Sequence, residues 1–331
     1  MSNSVFRKFD IIYKSVGKMK IDNPGKFVFK LNFIIENYAH LGHLGATLIL
    51  LFTAVCFGIV PLFAKTLQET GTSSAAIALY RYGFTALLMA PFLPFSREKW
   101  REALLLIFSG LFMGLSWIGY LEAIKVASIA VAGIVYMSYP VFTLLFAWPM
   151  VGQRPTLRGV MSVGLVMVSV CLIFSPDNLS GTSVKALLWS LPAPISFGFI
   201  IVVISGCLHR LTTYERLACA TLGATMGLIP LVLESTGAEF IYAIPDHWFA
   251  IAGITFFTAL LPQLLYTWAC PCVGPNRSAA TGTFELPTMF IIGWLAFDET
   301  MGAREVIAAI LIVLAIVLAP VVQARKTSVQ K

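Results

Sequence analysis

Residues 120–172, YLEAIKVASIAVAGIVYMSYPVFTLLFAWPMVGQRPTLRGVMSVGLVMVSVCL, lie without a gap on residues 266–318, YTWACPCVGPNRSAATGTFELPTMFIIGWLAFDETMGAREVIAAILIVLAIVL, when the chain is shifted on itself by 146 positions. Leu, Val and Ala coincide by chance in any two apolar segments. The informative matches are therefore Tyr120 with Tyr266, Trp148 with Trp294 and Arg158 with Arg304. Ala123/Ala269, Val160/Val306, Leu165/Leu311 and Leu172/Leu318 keep the same register. Further upstream a Phe-Gly step recurs, Phe57-Gly58 and Phe197-Gly198, at an offset of 140.

What one repeat unit contains follows from charge spacing. The chain is 58% hydrophobic and 12% charged, where ordinary soluble domains carry roughly 25% charged residues. Its apolar residues are gathered into uncharged runs rather than short amphipathic pieces. These are Leu44–Ala64, Ser73–Ser96 (broken by Arg81), Leu104–Leu121, Val126–Gln153, Gly159–Pro176, Ala186–Leu208, Leu217–Leu233, Trp248–Asn276, Ser278–Phe297 (containing Glu285) and Val306–Ala324. At 1.5 Å per residue each is long enough for about 30 Å of hydrocarbon. The predicted fold is an all-α integral membrane protein of about ten transmembrane helices, five per repeat. Five is odd, so the second copy enters the membrane from the opposite side and the halves are inverted. Two such halves about an axis in the membrane plane enclose a central site that opens to either face in turn.

The expected organisation is a basic cytoplasmic tail over residues 1–43, a first five-helix repeat over 44–176, a linker over 177–185, a second repeat over 186–322 and a cytoplasmic tail over 323–331. With the N-terminus cytoplasmic, 18 Lys and Arg fall on the inside and four outside (Lys65, Lys125, Lys185 and Arg304), Arg81 lying within a span. Without the N-terminal tail the bias is still 11 against four. Both termini are accordingly expected in the cytoplasm. This distribution also accounts for the net charge of +7 without a nucleic-acid partner. In the tail, Lys30 interrupts the one apolar patch, Phe27–Ile35, so no cleavable signal peptide is expected. A membrane-surface helix, a disordered basic anchor and an over-long gene start upstream of the first helix all fit that segment.

Six cysteines sit in or beside apolar runs and read as packing residues. Cys270-Pro271-Cys272 lacks metal-motif spacing, and His40, His43, His209 and His247 lie at segment ends, so no metal site is expected. No phosphate loop, HExxH, GxSxG or dinucleotide fingerprint occurs. An enzyme is not expected, nor any cofactor.

Candidate site residues follow from the cost of polar groups in hydrocarbon. Glu285 lies about seven residues inside its span, where a charge costs at least about 2.5–3.5 kcal/mol. As a cavity carboxylate it would bind a cationic group or carry a coupling proton; as a packing residue it would need a hydrogen-bonding partner. Arg81 is near enough to a span end for its stem to snorkel, and a substrate role and a structural role weigh equally; a direct pair with Glu285 is the other possibility. Tyr136, Tyr139, Pro140 and Thr143 share one helix face, as do Met113, Trp117 and Tyr120. Tyr120 is expected at the interface, whereas Tyr136, Tyr139 and Trp117 are read as cavity lining. Gln263, Tyr266 and Thr283 would complete a polar wall. Pro140 and Pro287 are expected helix kinks that free carbonyls toward the cavity, and Pro192, Pro194 and Ser196 mark a bent helix.

Several of these segments also carry a resemblance. Ala127–Gly133, Tyr139-Pro140-Val141, Val151-Gly152-Gln153-Arg154 and Gly159–Ile173, repeated as Glu285-Leu286-Pro287, Phe297-Asp298-Glu299 and Val306–Leu318, resemble the drug/metabolite transporter superfamily in its two-domain EamA-type form. The family usually has Gly-Glu where this chain has Gly152-Gln153, and Asp298 stands where the glycine recurs. The resemblance covers about residues 44–320. It implies a ten-helix carrier in a bacterial inner membrane, without nucleotide hydrolysis, moving amino acids, nucleoside-like metabolites or drug-like compounds, often outward. The partners it implies are a small-molecule substrate and membrane lipid, with a proton as candidate co-substrate. An integral-membrane enzyme and a non-transporting membrane subunit are the competing readings.

Overall fold

The computed structural model describes residues 42–153, 156–173, 181–235, 239–299 and 302–318. The predicted N-terminal tail up to residue 41, the connection at 174–180 and the C-terminal tail lie outside them. Among the described residues the regular structure is all helical and falls into ten spans. They are α1 (Gly42–Gly58 continued by Val60–Glu69), α2 (Ser74–Met89), α3 (Trp100–Val126), α4 (Ile129–Tyr136 and Tyr139–Val151) and α5 (Leu157–Ile173). The second set is α6 (Gly181–Ser190, Pro192–Val202 and π-helical Val203–Cys207), α7 (Thr213–Ser235), α8 (Glu239–Thr255, a π-turn at Phe256–Leu260, then Leu261–Val273), α9 (Pro275–Gly282 and Glu285–Phe297) and α10 (Ala303–Leu318). Eight are long and apolar enough to cross a membrane; α5 and α10, at 17 and 16 described residues, are shorter.

Helix ends differ from the uncharged runs for a physical reason. Charged residues continue a helix into the headgroup layer, where they are solvated. Thus α3 takes in Glu102 and Lys125, and α1 continues through Lys65 to Glu69. Lys65, counted from sequence among the cations outside the membrane, is a helix residue. The prolines also act differently from the mid-helix kinks expected of them. α4 breaks at Met137-Ser138 and α9 at Thr283-Phe284, and Pro140 and Pro287 lie in the first turns of the helices that restart there. In those positions a missing N–H costs little.

From Ala46 onward the described chain packs as one unit, and its contacts come in pairs related by the repeat. Ser162 Oγ donates to Ala315 O at 2.7 Å and Ser169 Oγ to Ala308 O at 2.8 Å; adding 146 to each serine gives the other bond's acceptor. A Cβ built on Gly58 would lie 2.7 Å from the carbonyl oxygen of Glu285, and one on Gly198 2.9 Å from that of Tyr139. Glu285 is Tyr139 shifted by 146, and Gly198 is Gly58 shifted by 140. Pairs of this kind arise when two copies of one bundle face each other about an approximate two-fold axis. α3 and α7 close the arrangement by glycine packing, since Cβ atoms on Gly110 and Gly223 would strike the carbonyls of Ala220 and Ile107.

Candidate functional site

α2 begins where Ser73 caps it, its Oγ accepting from Ala76 N, and carries Arg81 half-way along. Arg81 does not snorkel: it is 2% exposed. Its Nη2 donates to Thr258 O at 2.9 Å. That carbonyl lies in the π-turn of α8, where the wider spacing disturbs the usual α-helical bonding. Thr255 Oγ1, beside it, donates to Tyr80 O, so α2 and α8 are joined at this level. The guanidinium carbon stands 4.1 Å from the Trp117 ring centroid and 5.2 Å from that of Tyr82, a cation stacked on aromatic faces.

Glu285 opens the second segment of α9 and is 1% exposed. It does not pair directly with Arg81: among the described residues the ion pairs are Lys65–Glu299, Lys99–Glu215 and Lys125–Glu122. Yet both side chains line one cavity, with about 600 Å³ free of atoms when its open mouth is included. Trp117, Tyr136, Gln263 and Tyr266 line it too. Tyr139 stands one ring behind, packed on Tyr136 and Phe197 at centroid distances of 5.6 and 4.8 Å, its hydroxyl donating to Ala279 O. Tyr120 is buried rather than interfacial, because its ring completes the cluster against Trp117 at 4.9 Å.

Three expected members lie elsewhere. Thr283 donates to Ala280 O, and with Pro140 it borders a separate space between α4, α5, α9 and α10. Pro287 is absent from both linings. Conversely Phe57, Tyr82, Phe197 and Thr221 line the central cavity and were not read as site residues. Phe57 and Phe197 stand out in the sequence only as the repeated Phe-Gly step, and the other two carry no signal there.

Charge and hydrogen bonding make this cavity unusual for a membrane interior. Arg81 Nε and Nη1, Tyr82 OH, Trp117 Nε1 and Glu285 Oε1 have no hydrogen-bond partner among the described residues. Each such buried atom costs about 1–3 kcal/mol, more where charged, unless something entering the cavity satisfies it. The lining residues of α6 and α7, from Phe197 to Ile204 and from Leu217 to Ala224, border the 208–212 turn. The cavity therefore extends from mid-membrane toward the face on which α1 begins, the near face.

Known proteins place this architecture. A solved crystal structure, 15% identical in sequence, superposes with a TM-score of 0.57 over 82% of this chain and 94% of its own, a likeness of fold. An uncharacterized transporter of Archaeoglobus fulgidus is 20% identical over 283 residues, 82% of this chain and 94% of that protein. The model of the EamA-like transporter family matches twice, over residues 44–175 and 184–319. With two copies of that model spanning nearly everything between its tails, the chain is an integral membrane protein belonging to the EamA-like transporter family.

Proposed function

We propose that the protein is a secondary carrier, not an enzyme, that exports a small zwitterionic metabolite by alternating access, binding it between Arg81 and Glu285. One observation carries the reading: a guanidinium and a carboxyl group, both buried and not paired with each other, face the same aromatic-walled space. A molecule bearing both a carboxylate and an ammonium group would satisfy both at once and leave no net charge in hydrocarbon. Its carboxylate takes a free nitrogen of the Arg81 guanidinium in a charge-assisted hydrogen bond. Its amine takes Glu285, and an apolar side chain lies against Trp117, Tyr136 and Phe197. Of amino acids, nucleoside-like and drug-like compounds, amino acids match this charge pattern. Export is favoured by the cavity's position on the near face, which the Lys/Arg bias assigns to the cytoplasm.

Counterflow of labelled leucine in proteoliposomes tests this. Unlabelled leucine should compete at least about tenfold better than leucine methyl ester or N-acetyl-leucine, each lacking one charge-assisted contact of about 1.5–3 kcal/mol. Glu285→Gln should lower flux by about 10- to 100-fold. Undiminished flux in that variant, or equal competition by the ester and the N-acetyl compound, refutes the assignment.

A further inference from the structure

Gln153 and Glu299 occupy the same place in the two halves, 146 positions apart. Each follows a residue in the left-handed region, Gly152 at φ 72° and Asp298 at φ 51°. Each then returns its own amide to the carbonyl six residues back, Gln153 N to Ala147 O at 3.2 Å and Glu299 N to Gly293 O at 3.0 Å. Each side chain crosses to the first turn of the partner half's broken span. Gln153 Oε1 accepts from Asn276 Nδ2 at 3.2 Å at the start of α9, on the near face. Glu299 Oε2 accepts from Ile129 N at 2.9 Å at the start of α4, on the far face.

The chemistry of the two copies is not the same. On the near face the contact is a neutral amide pair, and the α6 residue equivalent to Lys65 is Ser205, which donates to its own helix at Ile201 O. On the far face Glu299 is an anion at a helix N-terminus. Its other oxygen takes Lys65 Nζ of α1 at 2.6 Å, and that ammonium stands 4.6 Å from the centroid of the Phe297 ring. Gly293 makes room for this: a Cβ there would lie 2.9 Å from Glu299 Oε2, whereas its repeat equivalent is Ala147. One carboxylate thus holds the far ends of α1, α4 and α9 together.

We propose that Glu299, with Lys65, locks the far face, and that the weaker Gln153–Asn276 contact is its near-face counterpart, so the empty carrier rests open toward the near face. The lock rests on the alternating-access reading but not on the identity of the substrate. It accounts for the position of the cavity, which extends toward the face whose version of the contact is uncharged. The near face has charged contacts of its own: Glu102, whose carboxylate accepts from His209 N and Arg210 N, and the ion pair of Lys99 with Glu215 at 2.7 Å. That pair joins α3 to α7, which are already packed together through Gly110 and Gly223.

The test uses the full chain with its six cysteines replaced and one cavity reporter, Thr221→Cys, in membrane vesicles of known sidedness. Phe95→Cys and Thr72→Cys, in separate proteins, mark the two faces. An impermeant maleimide should label the reporter mainly from the near face. Glu299→Gln should raise labelling from the far face about tenfold, as expected for losing an ion pair and a helix-terminus charge together. Lys65→Met should shift it in the same direction, and the double variant should fall short of the product of the two, because they remove one shared contact. Lys99→Met should leave far-face labelling unchanged. The lock is refuted if Glu299→Gln and Lys65→Met both accumulate normally and neither raises far-face labelling. Added leucine separates the two readings. If leucine redistributes labelling while these substitutions do not, only the lock fails; if neither leucine nor any substitution changes labelling, alternating access fails with it.

Discussion

Substituting Gly58 and Gly198 by alanine separates what the repeat does for stability from what it does for the site. A Cβ on Gly58 would stand 2.5 Å from Thr288 Cβ and 2.7 Å from Glu285 O; on Gly198 it would stand 2.8 Å from Phe142 Cβ and from Thr143 N. Ordinary contact needs about 3.4 Å or more, so either methyl forces the facing helix away by roughly 0.5–1 Å, an overpacking that costs about 1–3 kcal/mol. Scanning fluorimetry in detergent should show both variants melting several degrees below the parent, on the order of 2–4 °C per kcal/mol. Flux should not follow stability equally. Gly58→Ala moves the backbone that carries Glu285, whereas Gly198→Ala moves the backbone that carries Tyr139, one ring behind the cavity wall, and touches the wall only through Phe197, an apolar contact rather than a charge-assisted one. Leucine counterflow at a temperature where both variants remain folded should therefore fall at least about tenfold for Gly58→Ala, since misplacement by about 1 Å costs a charge-assisted contact much of its energy. For Gly198→Ala it should fall no more than about threefold. Equal losses of flux would refute the placement of Glu285 at the binding site, and unchanged melting in both would refute the close approach of α1 to α9 and of α6 to α4.

Asp298→Gly should stabilise the protein by about 0.5–1 kcal/mol, because φ 51° is a conformation that glycine adopts freely and aspartate only with strain; a rise in melting temperature checks it. Gly110→Ala should lower the melting temperature sharply, since its methyl would strike the Ala220 carbonyl, while Gly164→Ala, with nothing within 4 Å, should be neutral or slightly stabilising through helix propensity. Parallel fluorimetry of the two, with expression as a second readout, decides whether α3 and α7 approach as closely as described.

The spans and the repeat were legible because membranes impose a coarse, one-dimensional signal. Length without charge marks a span, and an unbroken offset of 146 marks the second copy. Which way a residue faces is a finer property. A helix apolar toward lipid and apolar toward its neighbours has no polar face to read, so Trp148 and Trp294, matched by the repeat, face outward at 57% and 62% exposed, while the matched Tyr120 and Tyr266 are buried. The sequence offered both a snorkelling and an interior Arg81. What decides for the interior is a π-turn in α8, a local widening with no composition of its own. Thr283 was grouped with the cavity by its polarity and its place near mid-span. The break at Thr283-Phe284 turns its hydroxyl back onto Ala280 instead. Glu299 stood out only as the end of Phe297-Asp298-Glu299, since the feature that gives it a role, the first turn of α4, lies 170 residues away in the chain.

The described charges also bear on how two like halves, alternating as proposed, acquire a direction. Two identical halves would make the near-open and far-open forms equivalent by a two-fold rotation and equal in free energy, each populated half of the time. A bias therefore has to come from positions where the copies differ, and a difference of about 1.4 kcal/mol shifts the ratio tenfold. The scaffold contacts in this chain keep the symmetry: Ser162 with Ser169, and Gly58 with Gly198, differ little between the halves. The charged groups break it. Arg81 has Thr221 as its equivalent, Glu285 has Tyr139, Lys65 has Ser205 and Glu299 has Gln153. The first two differences lie at the cavity, where they act on whatever is bound. The other two lie at a helix end, where they act on the empty protein. Substitutions at the cavity should therefore change which compounds are carried with little effect on resting accessibility, and substitutions at Lys65 or Glu299 should do the reverse.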